Sequence, residues 1–366
     1  MNSTVVVALE LDRALSLLQN VSRPQQLFGP PGADEQAARA AQQLYRQLVR
    51  ALYPDLVPSV QRDEATKATA ELNRLYDEWR RLAGQTGSGW TVATRRRSYR
   101  VDGPPIRGDI ANLYRASWEQ DGQPVSGLLK MPRRPADSDL ARQEASALRA
   151  LQKGDLEFAD YVPGLVDSFR HRDSGSGRQR QVNVLAEVPE AVTLADVLRA
   201  FPGGLDPRDA AWMWRRLLVA VGLATRSELV HLAVIPENVL IVPESHGLVL
   251  LDWCYSVAVG GKASAWVGGW RQLYPPEVLA GQPVSPATDI YMATRLMGLL
   301  MGAGAPAAMR GFVAGCTLAQ PGRRPQDAWE LLRELDELLV MLYGPRKFRP
   351  FRMPAVPGNT KATRRQ

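Results

Sequence analysis

The cysteine and histidine side chains are the first candidates for chemistry, because thiolate and imidazole groups act as nucleophiles, bases and metal ligands. Cys254 and Cys316 are too few for a disulfide framework in a chain of 366 residues. No two of the cysteine and histidine residues lie at the spacing of ligands in a zinc site. The sequence therefore predicts neither a disulfide-rich protein nor a metal cluster, and we expect the protein to lie in a reducing cytoplasm.

Amino, carboxylate and amide side chains occur instead in a series of short motifs in the last two thirds of the chain. Each motif alone is a weak signal, whereas their collinear order is a much stronger one. In chain order the motifs are Gly127-Leu128-Leu129-Lys130, Arg142-Gln143-Glu144-Ala145, His231-Leu232-Ala233-Val234-Ile235-Pro236-Glu237-Asn238, Leu251-Asp252-Trp253-Cys254, Tyr274-Pro275-Pro276-Glu277, Asp289-Ile290-Tyr291 and Arg323-Arg324-Pro325.

The order of these motifs resembles that of the protein-kinase superfamily, over roughly residues 95 to 340. The segment from His231 to Asn238 resembles the catalytic loop, whose family pattern is His-Arg-Asp, four residues and Asn. Asp252 lies in a segment that resembles Asp-Phe-Gly. The Glu277 motif resembles the Ala-Pro-Glu segment, and the Arg323-Arg324-Pro325 run resembles the site of the Arg that pairs with its Glu.

The resemblance implies roles in phosphoryl transfer for four side chains. Lys130 would bind the α- and β-phosphates of a nucleotide, and Glu144 would be its partner on the next helix. Asn238 and Asp252 would hold magnesium ions. The cofactor implied by the resemblance is ATP with magnesium, weakly bound.

The catalytic loop departs from the family pattern at the residue that matters most. Ala233 stands where the family has the Asp that accepts the proton of the substrate hydroxyl, and a methyl group cannot take a proton. Leu232 and Ile235 are apolar where the pattern has Arg and Lys. These changes predict a loop packed as part of a core, and a protein without a catalytic residue.

The nucleotide pocket implied by the resemblance departs from the pattern as well. Gly108 is the one glycine that remains of the three in the phosphate-binding loop, and Asp109 adds a negative charge where phosphates would lie. Leu128 replaces a small Ala and narrows the pocket, and Cys254 replaces a Gly and stiffens its segment. The remaining pocket residues are Lys130, Glu144, Asn238, Asp252, Glu187 and Val188.

Three hypotheses follow from these departures. The first is a catalytically inactive pseudokinase that acts as a protein-binding scaffold or regulator, in which Lys130 and Glu144 form an ion pair that locks the small lobe. The second is an atypical, active ATP-dependent protein kinase that uses Glu237 or Asp109 as the missing carboxylate. The third is a nucleic-acid-associated adaptor that binds through basic segments, although few aromatic side chains accompany those charges.

The segments around the motifs predict an α+β architecture, which the kinase resemblance makes a two-lobed kinase-like fold. Short alternating segments near residues 99–101, 112–116, 127–131 and 182–188 predict strands, and residues 139–152 predict a helix among them. After about residue 193 the chain is predicted to be mainly helical, with short strands at 239–242 and 248–251.

The sequence also predicts the domain boundaries. Residues 1–85 are expected to be a helical module with helices at 37–52 and 64–82, and residues 86–94 a linker. Residues 95–343 are expected to be the kinase-like domain, and residues 344–366 a basic tail that is disordered or loosely docked. The segment from Leu44 to Asp55 resembles the second helix and loop of a J domain. Tyr53 replaces the His of that loop, and the change implies that co-chaperone activity is lost.

Composition limits the remaining choices. The net charge of +7 comes mostly from scattered Arg residues, which we attribute to a GC-rich, bacterial genome. No uncharged run is long enough for a membrane span. We therefore expect a cytoplasmic protein whose partner is another protein, with nucleic acid as the less favoured partner.

Overall fold

The computed structural model describes residues 11–19, 21–30, 35–52, 61–86, 90–153, 156–172 and 177–354. Its contacts separate two compact units. The first unit contains the described residues up to Arg107 together with Leu113–Ser126, and the second contains Gly108–Asn112 together with the described residues from Gly127 onward. Within the described residues, no helix is both long enough and apolar enough to cross a membrane.

The first unit begins with helices that share one apolar core. Leu72, Leu75 and Trp79 are buried and recur at a spacing of three and four residues, so they lie on one face of their helix. The Tyr45 and Tyr76 rings stack with centroids 4.0 Å apart. The helices are α1 (Leu11–Gln19), α2 (Pro24–Phe28), α3 (Glu35–Ala51) and α4 (Arg62–Thr86).

The two longest of these helices correspond to the helices predicted from the sequence at 37–52 and 64–82. The Tyr53 substitution, on which the prediction of lost co-chaperone activity depends, lies outside the described residues. The J-like character of the helical module therefore stays a prediction.

The linker predicted at residues 86–94 is wrong where the structure describes it. Helix α4 continues through Gly84 to Thr86, because a single Gly near a helix end costs only about 1 kcal/mol relative to Ala. Residues Trp90–Ala93 form strand β1, which pairs antiparallel with β2 (Ser98–Arg107). Val92 points into the core while its neighbours are exposed, so the segment has the alternation of a strand.

Two further strands contribute residues to both units. These are β3 (Ala111–Gln120) and β4 (Gln123–Pro132). Within the second unit, β4 pairs antiparallel with β6 (Gln179–Ala186), and β6 pairs antiparallel with β5 (Leu165–Arg172). The predicted strands at 99–101, 112–116 and 127–131 lie within β2, β3 and β4, and the predicted strand at 182–188 ends two residues early, at Ala186.

The rest of the second unit is mainly helical, as the sequence predicts. Its largest apolar core includes Trp214 and Leu217 of α7 and Met297 of α9, which are fully buried. The helices are α5 (Ser138–Lys153), α6 (Leu194–Ala200), α7 (Pro207–Arg226), α8 (Pro276–Leu279), α9 (Pro286–Met301), α10 (Ala307–Cys316) and α11 (Ala328–Tyr343). The short strands are β7 (Val192–Thr193), β8 (Leu229–Val230), β9 (Val239–Val242), β10 (Gly247–Leu250) and β11 (Val257–Ala258). The predicted combination of helices with antiparallel strands is confirmed at this level.

Of the two states predicted for the tail from residue 344, disorder is wrong for residues 344–354, which are docked. Phe351 is buried against Phe201 and Trp212, with ring centroids 5.8 Å and 6.1 Å away. Arg349 forms ion pairs of 3.1 Å with both Asp206 and Asp209. The burial of Phe351 and the ion pairs of Arg349 offset the conformational entropy that is lost when this segment becomes ordered. Residues 355–366 lie outside the described part of the chain.

Candidate functional site

A buried ion-pair cluster lies at the centre of the predicted site. Lys130 is on β4, Glu144 is on α5, and Asp252 follows β10. Lys130 Nζ lies 2.6 Å from Glu144 Oε1 and forms a second ion pair with Asp252 Oδ1. The exposed fractions of the three side chains are 9%, 0% and 16%, so water screens them weakly. The predicted Lys130–Glu144 pair is confirmed.

Strand pairing brings a fourth polar residue into the cluster. The register of β4 and β6 places Asn183 opposite Lys130. Asn183 Nδ2 donates to Glu144 Oε2 over 2.9 Å and to the Ala141 carbonyl over 2.8 Å. Glu144 therefore has a partner for each of its oxygens. The sequence analysis missed Asn183, and the available signal was a single polar residue within the apolar run 182–185.

Opposite charges maintain the ionised state of the cluster against its burial. Desolvation opposes the charge of Lys130, but Asp252 and Glu144 outweigh it and hold its pKa well above the ordinary value. Desolvation likewise opposes the charge of Asp252, whose pKa Lys130 holds below the ordinary value. Burial raises the pKa of Cys254 well above its ordinary value, so this thiol stays neutral and donates to Asp252 Oδ1 over 3.4 Å. One cation faces two carboxylates.

The loop with Ala233 is packed as core, as the sequence predicts. Leu232, Ala233 and Val234 are fully buried, and Ile235 is 3% exposed. Asn238 Nδ2 donates to the Ala233 carbonyl over 3.0 Å. This bond leaves Asn238 Oδ1 as the atom that could ligate a metal ion. No acidic side chain occupies position 233, so proton acceptance there is impossible.

His231 is a buried structural residue. Its Nδ1 accepts from the Ala233 amide over 3.1 Å, and its Nε2 donates to the Leu251 carbonyl over 2.8 Å. Burial lowers the pKa of His231 to about 4, so the ring is neutral, in agreement with these opposite roles of its nitrogens. Through these two bonds His231 links the Ala233 amide to the Leu251 carbonyl.

Asp289 fixes the backbone of the same loop through hydrogen bonds to two of its amides. Its carboxylate accepts from the His231 amide over 2.5 Å and from the Leu232 amide over 3.0 Å. Leu232 has a φ of +64°, which a side chain with a Cβ adopts only when its surroundings impose it. Asp289 therefore stabilises a strained turn that leads into position 233.

The loop that contains Gly108 and Asp109 has its own partners. The Gly108 amide donates to the Ala111 carbonyl over 2.9 Å. Asp109 Oδ2 accepts from the Tyr255 hydroxyl over 2.5 Å, and Arg133 donates to the Asp109 carbonyl. The carboxylate predicted to repel phosphates is thus held by the segment that follows Asp252.

The remaining predicted site residues lie nearer the surface. Glu187 and Val188 follow directly after β6, and Glu187 is exposed while Val188 is half-buried. Leu128 is half-buried on β4. Glu237, one of the two alternative carboxylates, is exposed in the 3₁₀ turn Pro236–Asn238. Glu187 and Glu237 are therefore exposed, whereas Lys130 and Glu144 of the ion-pair cluster are buried.

A second buried ion pair joins Glu277 to the Arg323-Arg324-Pro325 run. Arg324 Nη1 and Nη2 lie 2.7 Å and 2.9 Å from Glu277 Oε1 and Oε2, a two-bond arrangement. Arg324 also donates to the carbonyls of Leu318 and Ala319. Thr288 donates to Glu277 over 3.0 Å. The pairing of Glu277 with an Arg of the 323–325 run is confirmed, and the Arg is Arg324.

Comparison with known proteins leaves the family open, since no protein-family model matches the chain. Among the described residues, no group of three or more His, Cys, Asp or Glu side chains could hold a metal ion. The assignment of a function therefore depends on the geometry of the Lys130 cluster and of the loop around Ala233.

The opposed pKa shifts of His231 and Asp289 give an expected pH dependence. The pKa of His231 falls from 6.5 to about 4 on folding, so its contribution to stability is present above pH 6.5 and is lost as pH falls toward 4. Burial raises the pKa of Asp289 to about 6, so its protonation favours the folded state as pH falls through 6. Between pH 7 and 5, these effects are worth roughly 2 and 1 kcal/mol with opposite signs.

We therefore expect Asp289→Asn to lose stability more steeply than the natural protein between pH 7 and 5, by roughly 1 kcal/mol. The measurement is urea unfolding at several pH values in this window, compared as slopes and not as absolute stabilities. Equal slopes in the two proteins would show that Asp289 is ionised throughout this range.

Proposed function

We propose that this chain is a catalytically silent pseudokinase that acts in the cytoplasm as a protein-binding scaffold or regulator. In this proposal the segment from about residue 95 has a two-lobed kinase-like fold, and the helices before it form a J-like module. The single observation that carries the proposal is the full burial of Ala233 in an apolar loop, at the position where a kinase needs a proton acceptor.

In this proposal, two buried ion pairs would maintain the kinase-like shape, while no side chain at position 233 can accept a proton. Lys130 pairs with Glu144, and Arg324 pairs with Glu277. His231 and Asp289 hold the loop through four hydrogen bonds. Buried charges and strained turns are costly to retain. Their retention beside Ala233 favours a protein whose fold serves as a binding surface.

Nucleotide binding at the Lys130 cluster would depend on magnesium. Lys130 is the one cation of the cluster, and it faces the carboxylates of Glu144 and Asp252. Phosphate groups would meet a net negative charge there unless a metal ion accompanied them. Asp252 and Asn238 Oδ1 are oxygen donors that suit magnesium, which normally takes few protein ligands and keeps several waters. The residues therefore fit a weakly bound ATP–magnesium complex.

An atypical active kinase is the alternative, because Lys130, Asn238 and Asp252 could still bind ATP and magnesium. It requires another carboxylate to act on the substrate hydroxyl. Asp109 is engaged with Tyr255, and Glu237 is exposed in its turn. A nucleic-acid adaptor is favoured less, because Arg349 of the basic terminal segment is paired with Asp206 and Asp209.

A radiolabel transfer assay with ATP and magnesium separates the two kinase-like proposals. We expect no transfer by the natural protein, to itself or to general kinase substrates. Transfer that is lost in Asp252→Asn would overturn the proposal of a silent pseudokinase. Transfer that persists in Asp252→Asn would indicate a contaminating kinase and would leave the silent assignment standing.

Restoring the missing carboxylate is expected not to restore activity. A general base is worth roughly a hundred- to ten-thousand-fold, whereas positioning and charge neutralisation carry most of phosphoryl transfer. We expect Ala233→Asp to remain inactive and to melt at a lower temperature, because the new carboxylate is enclosed by apolar neighbours and its desolvation is costly.

Ala233→Asn is the matched control, since it adds a similar volume without a charge. A larger loss of melting temperature for Asp than for Asn assigns the difference to the buried charge. Efficient phosphoryl transfer by Ala233→Asp alone would mean that the pocket is intact and that only the proton acceptor is missing.

A further inference from the structure

A cavity of about 950 Å³ lies in the second unit, outside the Lys130 cluster. It is lined by the first half of α7, His246, the end of α11 and the terminal segment 344–349. It shares no lining residue with the cluster, so it belongs to a different site. Its volume lies within the range of sites for small organic ligands, about 300–1,000 Å³. The cationic residues that line it are Arg208, Arg215, Arg346, Lys347 and Arg349.

The positive charges of this cavity exceed the negative charges nearby. Asp206 pairs with Arg208 and Arg349, and Asp209 pairs with Arg349. Asp336 pairs with Arg215. These three carboxylates face five cations, so two positive charges remain without compensation.

The uncompensated charges lie on the terminal segment. Neither Arg346 nor Lys347 forms an ion pair with any acidic side chain in the described ranges, and both are exposed. The cationic groups are also close to one another. Burial lowers the pKa of Arg215, and the charges of Arg346 and Arg216 lower it further. A cavity that gathers guanidinium groups in this way attracts anions.

Aromatic rings form part of the lining of the cavity. The imidazole of His246 stacks on Trp212 with centroids 4.1 Å apart, and its other face meets Phe348 at 4.5 Å. Trp212 and His246 are only 7% and 6% exposed. Phe348 is 65% exposed, so one of its faces is open to a ligand.

Two polar atoms of these rings have no hydrogen-bond partner. Trp212 Nε1 and His246 Nε2 are buried without a hydrogen bond. Burial lowers the pKa of His246, so its imidazole ring is neutral. Leaving a buried polar atom unpaired costs roughly 1–3 kcal/mol, and such atoms in folded proteins usually meet water or a ligand.

We propose that this cavity binds a small organic phosphate ester, with a dianionic phosphate and an apolar or aromatic body. The two uncompensated charges match the charge of a phosphate monoester. Guanidinium groups are suited to phosphate because they donate two hydrogen bonds in parallel. The aromatic and aliphatic side chains of the lining suit the organic body.

The volume of the cavity favours a small molecule over an acidic peptide. The Trp212 and His246 side chains of its lining are nearly completely buried, so they lie beneath the surface that a peptide would cover. A peptide on that surface would meet Arg346 and Lys347 but would leave the cavity unfilled.

Calorimetric titration of the full chain with phenyl phosphate tests this proposal. We expect phenyl phosphate to bind about tenfold or more tightly than either inorganic phosphate or phenol, because only the ester has both the charge and the aromatic body. Arg346→Glu is expected to weaken binding by about tenfold or more, and Phe348→Ala to weaken phenyl phosphate but not inorganic phosphate. Both side chains are exposed, so neither change should prevent folding.

Arg323→Glu is the matched control, because Arg323 is also exposed, does not line the cavity and makes the same change in net charge. Equal weakening by Arg323→Glu and Arg346→Glu would overturn the proposal, and so would equal affinities for phenyl phosphate and inorganic phosphate. Binding of an acidic peptide in preference to phenyl phosphate would also overturn it. Because the cavity and the Lys130 cluster share no residue, these results do not depend on the proposed pseudokinase function.

Discussion

Replacing Lys130 by Met will lower the free energy of unfolding by roughly 3–5 kcal/mol, the cost of breaking a buried ion pair by removing one partner. The substitution removes the one cation that faces Glu144 and Asp252, which are 0% and 16% exposed. Met preserves most of the apolar stem, so the change measures the lost charge and not lost packing. The measurement is urea unfolding followed by circular dichroism.

Two further variants make this result specific. Lys262→Met is the matched control, because Lys262 is exposed and the same substitution there should change stability by less than about 0.5 kcal/mol. Adding Asp252→Asn to Lys130→Met should recover part of the loss, since it removes one of the two uncompensated carboxylates. If Lys130→Met were as harmless as Lys262→Met, the role of Lys130 in locking the fold would be refuted.

Replacing Arg324 by Met is expected to have an effect of similar size, roughly 3–5 kcal/mol. The side chain of Arg324 is fully buried, and its removal leaves Glu277 with Thr288 as its remaining hydrogen-bond partner. The carbonyls of Leu318 and Ala319 also lose their donors. Buried acceptors without donors add to the cost of the uncompensated carboxylate.

The neighbouring residue provides the control for this second variant. Arg323 is exposed, so Arg323→Met should leave the unfolding midpoint nearly unchanged. The double variant Arg324→Met with Glu277→Gln should be less destabilised than the sum of its single variants, because it removes both charges of the pair. Simple additivity of the two changes would show that the pair contributes no coupling energy.

The sequence by itself determined the features that depend on neighbouring residues along the chain. Helix-forming composition and spaced apolar residues predicted helices at 37–52 and 64–82, and alternation predicted the strand that contains Lys130. The absence of a carboxylate at position 233 is a property of the sequence alone, and no fold can supply it. The kinase resemblance carried by the collinear motifs implied two pairs, Lys130 with Glu144 and Glu277 with an Arg of the 323–325 run.

The tertiary structure decided the features that depend on contacts between distant segments. Asn183 reaches Glu144 only through the register of β4 and β6, which the local pattern does not specify. Asp109 meets Tyr255, which lies 146 residues later in the chain.

The terminal segment is more ordered than its composition indicates. Its prolines and basic residues predicted a tail that is disordered or loosely docked, since they offer little apolar surface to bury. One buried ring, Phe351, and the ion pairs of Arg349 are enough to hold residues 344–354 against α7. Docking of this segment also builds the cationic cavity, because Arg346 and Phe348 meet Trp212 and His246 only there. The partners of these anchors lie more than a hundred residues earlier, so only the folded chain shows that they exist.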